Sequence, residues 1–434
     1  MQIDILHGDC LEVMRNMPAD SVDSIVTDPP AGIAFMNKQW DRDKGGRKEW
    51  ISWMEGVASE CLRVIKPGGH ALVWSIPRTS HWTGMAWEDG GWQSRDKIYH
   101  CFGSGFPKSL DISKAIDKAA GAEREVVNSF WDGRTAPKGW INGSEDQRII
   151  EITAPATPAA KQYDGWGTAL KPAIEEWWLF RKPLTGTVAE TVLQWGTGGL
   201  NIDGCRVETE DNRDRPSRTP NTIYGVGNGT NLTESKGDPQ GRFPANLVHD
   251  GSDEIIALFP SKSGAFAPVK KGQNGTSRGV YGDFASKGDD GASFRGDTGS
   301  AARFFYCAKS SVSDREEGLA GLELRQRDTS RKEGNPGGDN PRNRGVKKKL
   351  NHHPTVKPTE LMRYLCRLIT PPGGIVLDPF CGSGSTGKGA VIEGFSFIGI
   401  DAEEEYIEIA RSRIAYAKSK YESQHIQKSL GLFA

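Results

Sequence analysis

The 434-residue chain is long enough for a large core, and its length alone admits two or three domains. With 55 Lys and Arg against 56 Asp and Glu it is nearly neutral, so any nucleic-acid surface must be a local patch. The seven cysteines contain no C-x-x-C, the start Met1-Gln2-Ile3-Asp4 lacks a basic-then-apolar leader, and no run reaches the ~18 apolar residues of a membrane span; a soluble cytoplasmic protein is expected, with no disulfide framework, metal site, signal peptide or membrane helix.

Three zones follow in chain order. Residues 1–120 alternate short apolar runs with helical spacing: 3–6, 24–27 and 71–74 read as strands, and 50–65 as an amphipathic helix stopped by Lys66-Pro67-Gly68-Gly69. Residues 121–349 are rich in Gly, Asn, Ser, Asp and Arg, with apolar islands at 175–182, 245–259 and 302–308. They read as a loop-rich insertion without internal repeats, either a surface elaboration or, as its place between two halves of one domain favours, a recognition region. Residues 350–420 resume the alternation: helix 358–370, strand 375–378, helix 387–394, strand 395–401 and helix 403–418, with 421–434 as a tail. Alternating strands and helices imply parallel βαβ units, so the expected fold is α/β with a mostly parallel sheet.

Two segments carry chemistry. In Ile375-Val376-Leu377-Asp378-Pro379-Phe380-Cys381-Gly382-Ser383-Gly384-Ser385-Thr386-Gly387, a G-x-G-x-x-G turn lies between a strand and a helix. Dinucleotide enzymes share that turn, and it nearly completes a Walker A loop, but Gly389 stands where a magnesium-binding hydroxyl is required. Asp378 closes the preceding strand, where a carboxylate repels a pyrophosphate and favours the ammonium and sulfonium of S-adenosylmethionine, by on the order of a few kcal/mol. The next strand ends at Asp401, where an acid can accept from ribose hydroxyls or cap the following helix.

The other segment is Ser24-Ile25-Val26-Thr27-Asp28-Pro29-Pro30-Ala31-Gly32. Each proline locks its own φ and pushes its predecessor out of the helical region, leaving Asp28 and the Pro29 carbonyl as neighbouring acceptors. An exocyclic NH2 group needs two such acceptors, which bind its protons and expose its lone pair to a methyl donor. A strand-ending turn with a surface Asp is the structural alternative.

Together these segments resemble the amino methyltransferases of DNA, with their Asp-Pro-Pro-Tyr signature and Asp-Pro-Phe-x-Gly-Ser-Gly cofactor loop. The order, catalytic half before cofactor half, resembles the β group, a circularly permuted Rossmann-like fold with the recognition region between the halves. Gly8-Asp9-Cys10-Leu11-Glu12 is similar to the segment whose Asp approaches the cofactor adenine, and residues 62–74 to the strand flanking the active site. His353-Pro354-Thr355-Val356-Lys357-Pro358 resembles the segment lining the methionine end of the cofactor, and residues 165–172 through Asn201-Ile202-Asp203 a phage and prophage branch.

The resemblance implies S-adenosylmethionine as cofactor, duplex DNA as substrate, a target base rotated out of the stack, and Asp28, Pro29 and Pro30 as catalytic residues. Around the cofactor it implies Asp9, Cys10, Asp28, Thr355, Lys357, Pro358, Asp378, Pro379, Phe380, Gly382, Gly384, Thr386 and Asp401. Asp at position 28 implies adenine N6, since members acting on cytosine N4 more often carry Ser there; cytosine N4 is the alternative. No Pro-Cys pair is present for cytosine C5 chemistry. Ala31 stands where the family has a ring that stacks on the extruded base, a contact of roughly 1–3 kcal/mol. Phe35 and Trp40 are the candidate replacements, with core packing as the structural alternative for both, and a catalytically silent DNA- or cofactor-binding homologue is the other reading. Arg325, Arg327, Arg331, Lys332, Arg342, Arg344, Lys347, Lys348 and Lys349 are candidates for phosphate contacts, or a solvated basic arm. A homodimer is expected by analogy with the β group.

Overall fold

The computed structural model describes residues 1–105, 109–135, 147–209, 215–217, 233–235, 240–261, 278–279, 282–283, 300–309, 311–326 and 348–429. Two compact units emerge: a larger one of Met1–Gly103, Glu175–Ala320 and Thr355–Ala434, and a smaller one of Ser104–Ile174 and Gly321–Pro354. The larger begins with β1 (Ile3–His7), α1 (Cys10–Arg15), β2 (Val22–Thr27), α2 (Arg47–Val64), β3 (Ile65–Ser75), α3 (Ser80–Asp89) and β4 (Gln93–Cys101). The smaller then supplies α4 (Ile112–Ala119), β5 (Val126–Thr135), β6 (Gln147–Thr153) and α5 (Pro158–Gln162). The chain continues through β7 (Ile174–Arg181), α6 (Val188–Trp195), β8 (Leu247–His249), α7 (Asp253–Ile256), β9 (Tyr306–Cys307) and α8 (Val312–Glu316). After β10 (Arg325–Gln326) and β11 (Lys348–Lys349) of the smaller unit come α9 (Thr359–Ile369), β12 (Ile375–Asp378), α10 (Ser385–Ile392), β13 (Ser396–Asp401) and α11 (Glu404–Ser429).

Nine strands form the central sheet in the order β1-β13-β12-β2-β3-β7-β4-β8-β9. The pairs from β1 through β3 are parallel, β7 runs antiparallel to β3, and β8 is parallel to both β4 and β9. Every residue of β2 is buried, as expected for a strand covered on both faces. The fold is α/β with a mostly parallel sheet. Its permuted order is visible in the pairing, since β12 and β13, from the end of the chain, are sandwiched between β1 and β2 from its beginning.

Trp50, Met54, Val57, Ala58, Cys61 and Val64 recur every three or four residues along α2 and bury one stripe against the sheet. The helix stops where expected, but Lys66-Pro67-Gly68-Gly69 does not form a separate turn. β3 begins at once at Ile65, and pairing jumps from Val22 with Ile65 to Ser24 with His70, so the Pro-Gly-Gly residues form a bulge. Gly68 takes φ 75° there, which β-branched residues avoid. α10 begins two residues earlier than its spacing suggests, with Gly384 at its N-cap, and α11 continues past Lys418 to Ser429.

Residues 121–349, read in sequence as one insertion, divide between the two units. β7, β8 and β9 join the central sheet, with Trp177, Phe180 and Val248 buried in its cores. β8 and β9 are three and two residues long, too short for any period to show. Within the smaller unit, Asp117 pairs with Arg124 at 2.6 Å and accepts the Ala156 and Thr157 amides, tying α4 to the start of α5. Among the described residues no helix is long and apolar enough to cross a membrane, no cluster could hold a metal, and the cysteines are free.

Candidate active site

Parallel strands direct their carboxyl ends to one edge, and four adjacent strands each deliver an acid there. His7 of β1 pairs with Asp401 of β13, and the Gly8 amide donates to the Asp401 carbonyl at 2.9 Å, so Asp9 stands beside Asp401. Asp378 ends β12, paired with Gly399, and Asp28 follows Thr27 at the end of β2. The two ends of the polypeptide therefore meet at one edge of one sheet.

The contact between the halves is direct. The Thr27 hydroxyl donates to Asp378 Oδ1 at 2.7 Å, and the Phe380 amide donates to the same oxygen at 3.1 Å. Asp378 is 1% exposed. Burial pushes its carboxyl up to about 7, against the hydrogen bonds from Thr386, Thr27 and Phe380, and the charge of Asp28 adds to the rise. Asp28 is likewise raised, to about 6, by burial, although Lys357 opposes the shift. Asp401 reaches about 6 for the same reason, while accepting from the Gly382 amide at 2.7 Å and the Glu403 amide at 2.9 Å. Its side chain thus makes a turn just ahead of α11, whose first amides are accepted by the Glu403 carbonyl, rather than capping that helix, and it ties the glycine turn to β13.

The glycines have steric reasons. Gly382 and Gly384 adopt φ 50° and 75°, and a Cβ on Gly384 would lie 2.9 Å from the Ala410 backbone. A Cβ on Gly387 would meet the Phe397 ring at 2.5 Å, so this glycine lets α10 lie against β13. The Walker-like lysine has another use. Lys388 is buried and pairs with Asp314 and with Glu317 at 2.8 Å, which commits its ammonium away from the turn.

Asp9 Oδ1 caps α1, accepting the Leu11 amide at 2.9 Å and the Glu12 amide at 3.2 Å. Cys10 beneath it is buried, its thiol pushed up to about 12 and therefore neutral. Thr386 is buried with its hydroxyl on Asp378, and Phe380 packs edge-on against Trp53 at 5.8 Å. Thr355 and Pro358 flank Lys357 at the entry to α9, and the Lys357 ammonium lies 2.9 Å from Asp28 Oδ2.

Beyond Pro29 and Pro30 the chain enters a loop that sequence reasoning left without an anchor. Asp41 supplies it: its carboxylate, 1% exposed, accepts the amides of Ala31 at 2.6 Å, Gly32 at 3.1 Å and Phe35 at 2.7 Å. Ala34, Met36 and Asn37 are held at φ 51°, 53° and 57°, unusual for residues other than glycine. Ala31 itself packs against the larger core, and Trp40 reaches the Tyr406 hydroxyl of α11. Glu175 and His100 were also missed. β7 brings Glu175 near Asp28 and Lys357, and β4 sets His100 3.9 Å from the Glu175 carboxylate. Only a free-standing Asp beside an aromatic pair, or an acid heading an apolar strand, could have signalled these residues.

Of the basic candidates, Arg325, Lys348 and Lys349 form one short ribbon in the smaller unit, Arg325 opposite Lys349. Arg327, Arg331, Lys332, Arg342, Arg344 and Lys347 lie outside the described residues.

An acidic carboxyl edge on a parallel sheet, with its glycine turn braced by a carboxylate, defines an α/β protein whose edge suits a cation better than a polyphosphate. A family profile described as DNA methylase, covering the N6 and N4 enzymes, matches residues 22–412, and the chain belongs to that family, whose methyl donor is S-adenosylmethionine. Among curated relatives, a type II methyltransferase M2.DpnII of Streptococcus pneumoniae is 49% identical over 69 residues, which are 16% of this chain and 26% of the relative. The DNA adenine methyltransferase YhdJ of Escherichia coli is 40% identical over 90 residues, 21% of this chain and 30% of the relative. The matches thus span less than a third of those relatives' lengths. A solved PvuII DNA methyltransferase specific for cytosine N4 aligns over 97% of this chain and 92% of its own, at 13% identity and a TM-score of 0.43.

Proposed function

We propose that this protein is a DNA methyltransferase that methylates N6 of adenine in duplex DNA. The observation that carries the reading is the Thr27–Asp378 hydrogen bond, which puts the amine-accepting Asp28 and the cofactor acid Asp378 at the ends of adjacent parallel strands. Three carboxyls, Asp378 buried and Asp28 and Asp401 half-buried, raised to about 6 or 7 are a donor set that a cation relieves, so the residues present fit S-adenosylmethionine. Asp378, the 382–387 turn, Asp401 and Asp9 would hold it, and when bound it supplies an electrophilic methyl group on a sulfonium.

The chain's own residues do the rest. Asp28 and the Pro29 carbonyl accept the two amine protons and orient the nitrogen lone pair; above about pH 6 Asp28 is ionised for this task. Pro30 stiffens the exit and Asp41 sets the course of the loop behind it. A paired base cannot reach Asp28, so the base leaves the stack, with Phe35 or Trp40 taking the place of the ring absent at Ala31. Arg325, Lys348 and Lys349 contribute phosphate contacts. Adenine is favoured over cytosine by the Asp at position 28.

The test is to incubate mixed-sequence duplex DNA with methyl-labelled S-adenosylmethionine and analyse nucleosides. Label on adenine N6 is expected. Label confined to cytosine N4 overturns the choice of base, and cofactor binding without transfer to any nucleic acid overturns the enzyme.

A further inference from the structure

Around Asp28 the charges are unevenly shared. The Lys357 ammonium contacts Asp28 Oδ2 at 2.9 Å and lies 3.8 Å above the Trp74 ring. Glu175, whose carboxylate lies 3.9 Å from His100 Nδ1, is a second acid that this charge reaches, from beyond ion-pair distance. Burial works to raise Glu175, but the Lys357 charge, then His100 and the Trp74 indole, hold it down at about 2. Strand alternation isolates it from its neighbour: Glu176, on the opposite face of β7, pairs with Lys97 at 2.8 Å. One buried cation is therefore offered to two carboxylates, and it sits on the one that the proposed chemistry needs vacant.

Resting on the methyltransferase reading, we propose that Lys357 fills the amine-accepting position of Asp28 while no base is bound, and that Glu175 receives its ammonium when a nucleobase amine takes that place. An ammonium adds the Coulomb attraction of a full charge to its hydrogen bond with a carboxylate, which a neutral amine lacks, so a base could not displace Lys357 into apolar surroundings. A buried ammonium without a partner is too costly. With Glu175 beside it, the exchange trades one ion pair for another, and the Trp74 face supports the cation throughout. The other charged groups facing Asp28 are the acids Glu175, Asp41 and Asp378. Once Lys357 moves to Glu175, Asp28 stands among acids and becomes a stronger acceptor for the amine protons. Glu175 and Lys357 are thus positioning residues that act through Asp28.

Two substitutions push in opposite directions. Glu175→Gln leaves Lys357 on Asp28: the acidic limb of kcat/KM for DNA moves to lower pH by about half a unit or more, and KM for DNA rises roughly tenfold with a smaller change in kcat. Lys357→Met frees Asp28: the limb moves to higher pH, and adding Glu175→Gln to this variant no longer raises KM. Glu175→Asp, which keeps the carboxylate, restores most of the KM. Independently of transfer, duplexes with 2-aminopurine at the target adenine, mapped with the unaltered protein, report extrusion without methyl donor. Their fluorescence gain falls severalfold in Glu175→Gln and returns in the double variant. An unaltered protein that methylates no DNA overturns the methyltransferase reading. An active protein whose two variants shift the limb the same way, or not at all, overturns the exchange. Melting curves on each variant exclude unfolding, and if Lys357→Met does not fold, Glu175→Gln against Glu175→Asp decides.

Discussion

Replacing Asp41 by Asn tests whether the loop after Pro30 is held in place by a single side chain. Asp41 accepts three backbone amides with both carboxylate oxygens. Hydrogen bonds to a charged acceptor contribute about 1.5–3 kcal/mol each, roughly 4–9 kcal/mol together. Against them stand the left-handed Ala34, Met36 and Asn37, at about 1–3 kcal/mol of strain each, and the burial that raises the Asp41 carboxyl. The balance is narrow. Asn keeps the shape but turns one acceptor into an NH2 that faces a backbone donor, so the closed loop loses roughly 2–3 kcal/mol. If the loop must be closed for the base to seat, kcat/KM for DNA falls about 30- to 150-fold. Because the loop lies outside the sheet, the melting midpoint should drop by no more than about 4 °C. Cofactor affinity by calorimetry should change less than threefold. Steady-state methylation on a mapped duplex gives the answer: a loss below threefold in a folded protein, or an equal loss of cofactor affinity, refutes the reasoning.

Cofactor binding should expel protons, because Asp28, Asp378 and Asp401 titrate near 6 to 7 in the protein without ligand. Raised acids bind protons more tightly when folded, so their stabilising contribution is present below the ordinary carboxylate range and is lost as pH rises through about 6 to 7; a cation reverses that preference. Affinity for S-adenosylmethionine should therefore increase from pH 5.5 to 7, by up to roughly tenfold per pH unit for each proton released, and titrations in buffers of different ionisation enthalpy that show proton uptake would contradict it. Gly387→Ala puts a methyl group 2.5 Å from the Phe397 ring and 2.4 Å from Ile414; a loss of about 1–3 kcal/mol is expected in chemical denaturation, and an unchanged midpoint would show that α10 can shift. Lys388→Met removes the buried cation shared by Asp314 and Glu317, leaving them the weaker partners Arg413 at 3.9 Å and Lys420 at 3.7 Å, and should cost about 1.5–3 kcal/mol, whereas nucleotide triphosphate should neither bind nor stabilise the unaltered protein; a triphosphate-dependent rise in melting temperature would restore the P-loop reading.

Much of the site was legible because its chemistry is local. Asp28-Pro29-Pro30 and Asp378 through Gly387 are contiguous, with conformations set by proline φ angles, missing Cβ atoms and strand ends. The period of α2 and the short apolar runs of β1, β2 and β12 fixed the alternation of strand and helix, and with it a mostly parallel sheet. What the chain order could not reveal is which distant segments share an edge. β8 and β9 carry too few residues for a period, and β7 looks like an island until β3 pairs with it. Asp41, Glu175 and His100 have no motif; their importance arises only when backbone donors, an ammonium and a second carboxylate are folded around them. Lys388 shows the converse: a near-perfect phosphate motif was decided by Asp314 and Glu317, some seventy residues away, because a buried cation goes to the carboxylates that tertiary packing places beside it.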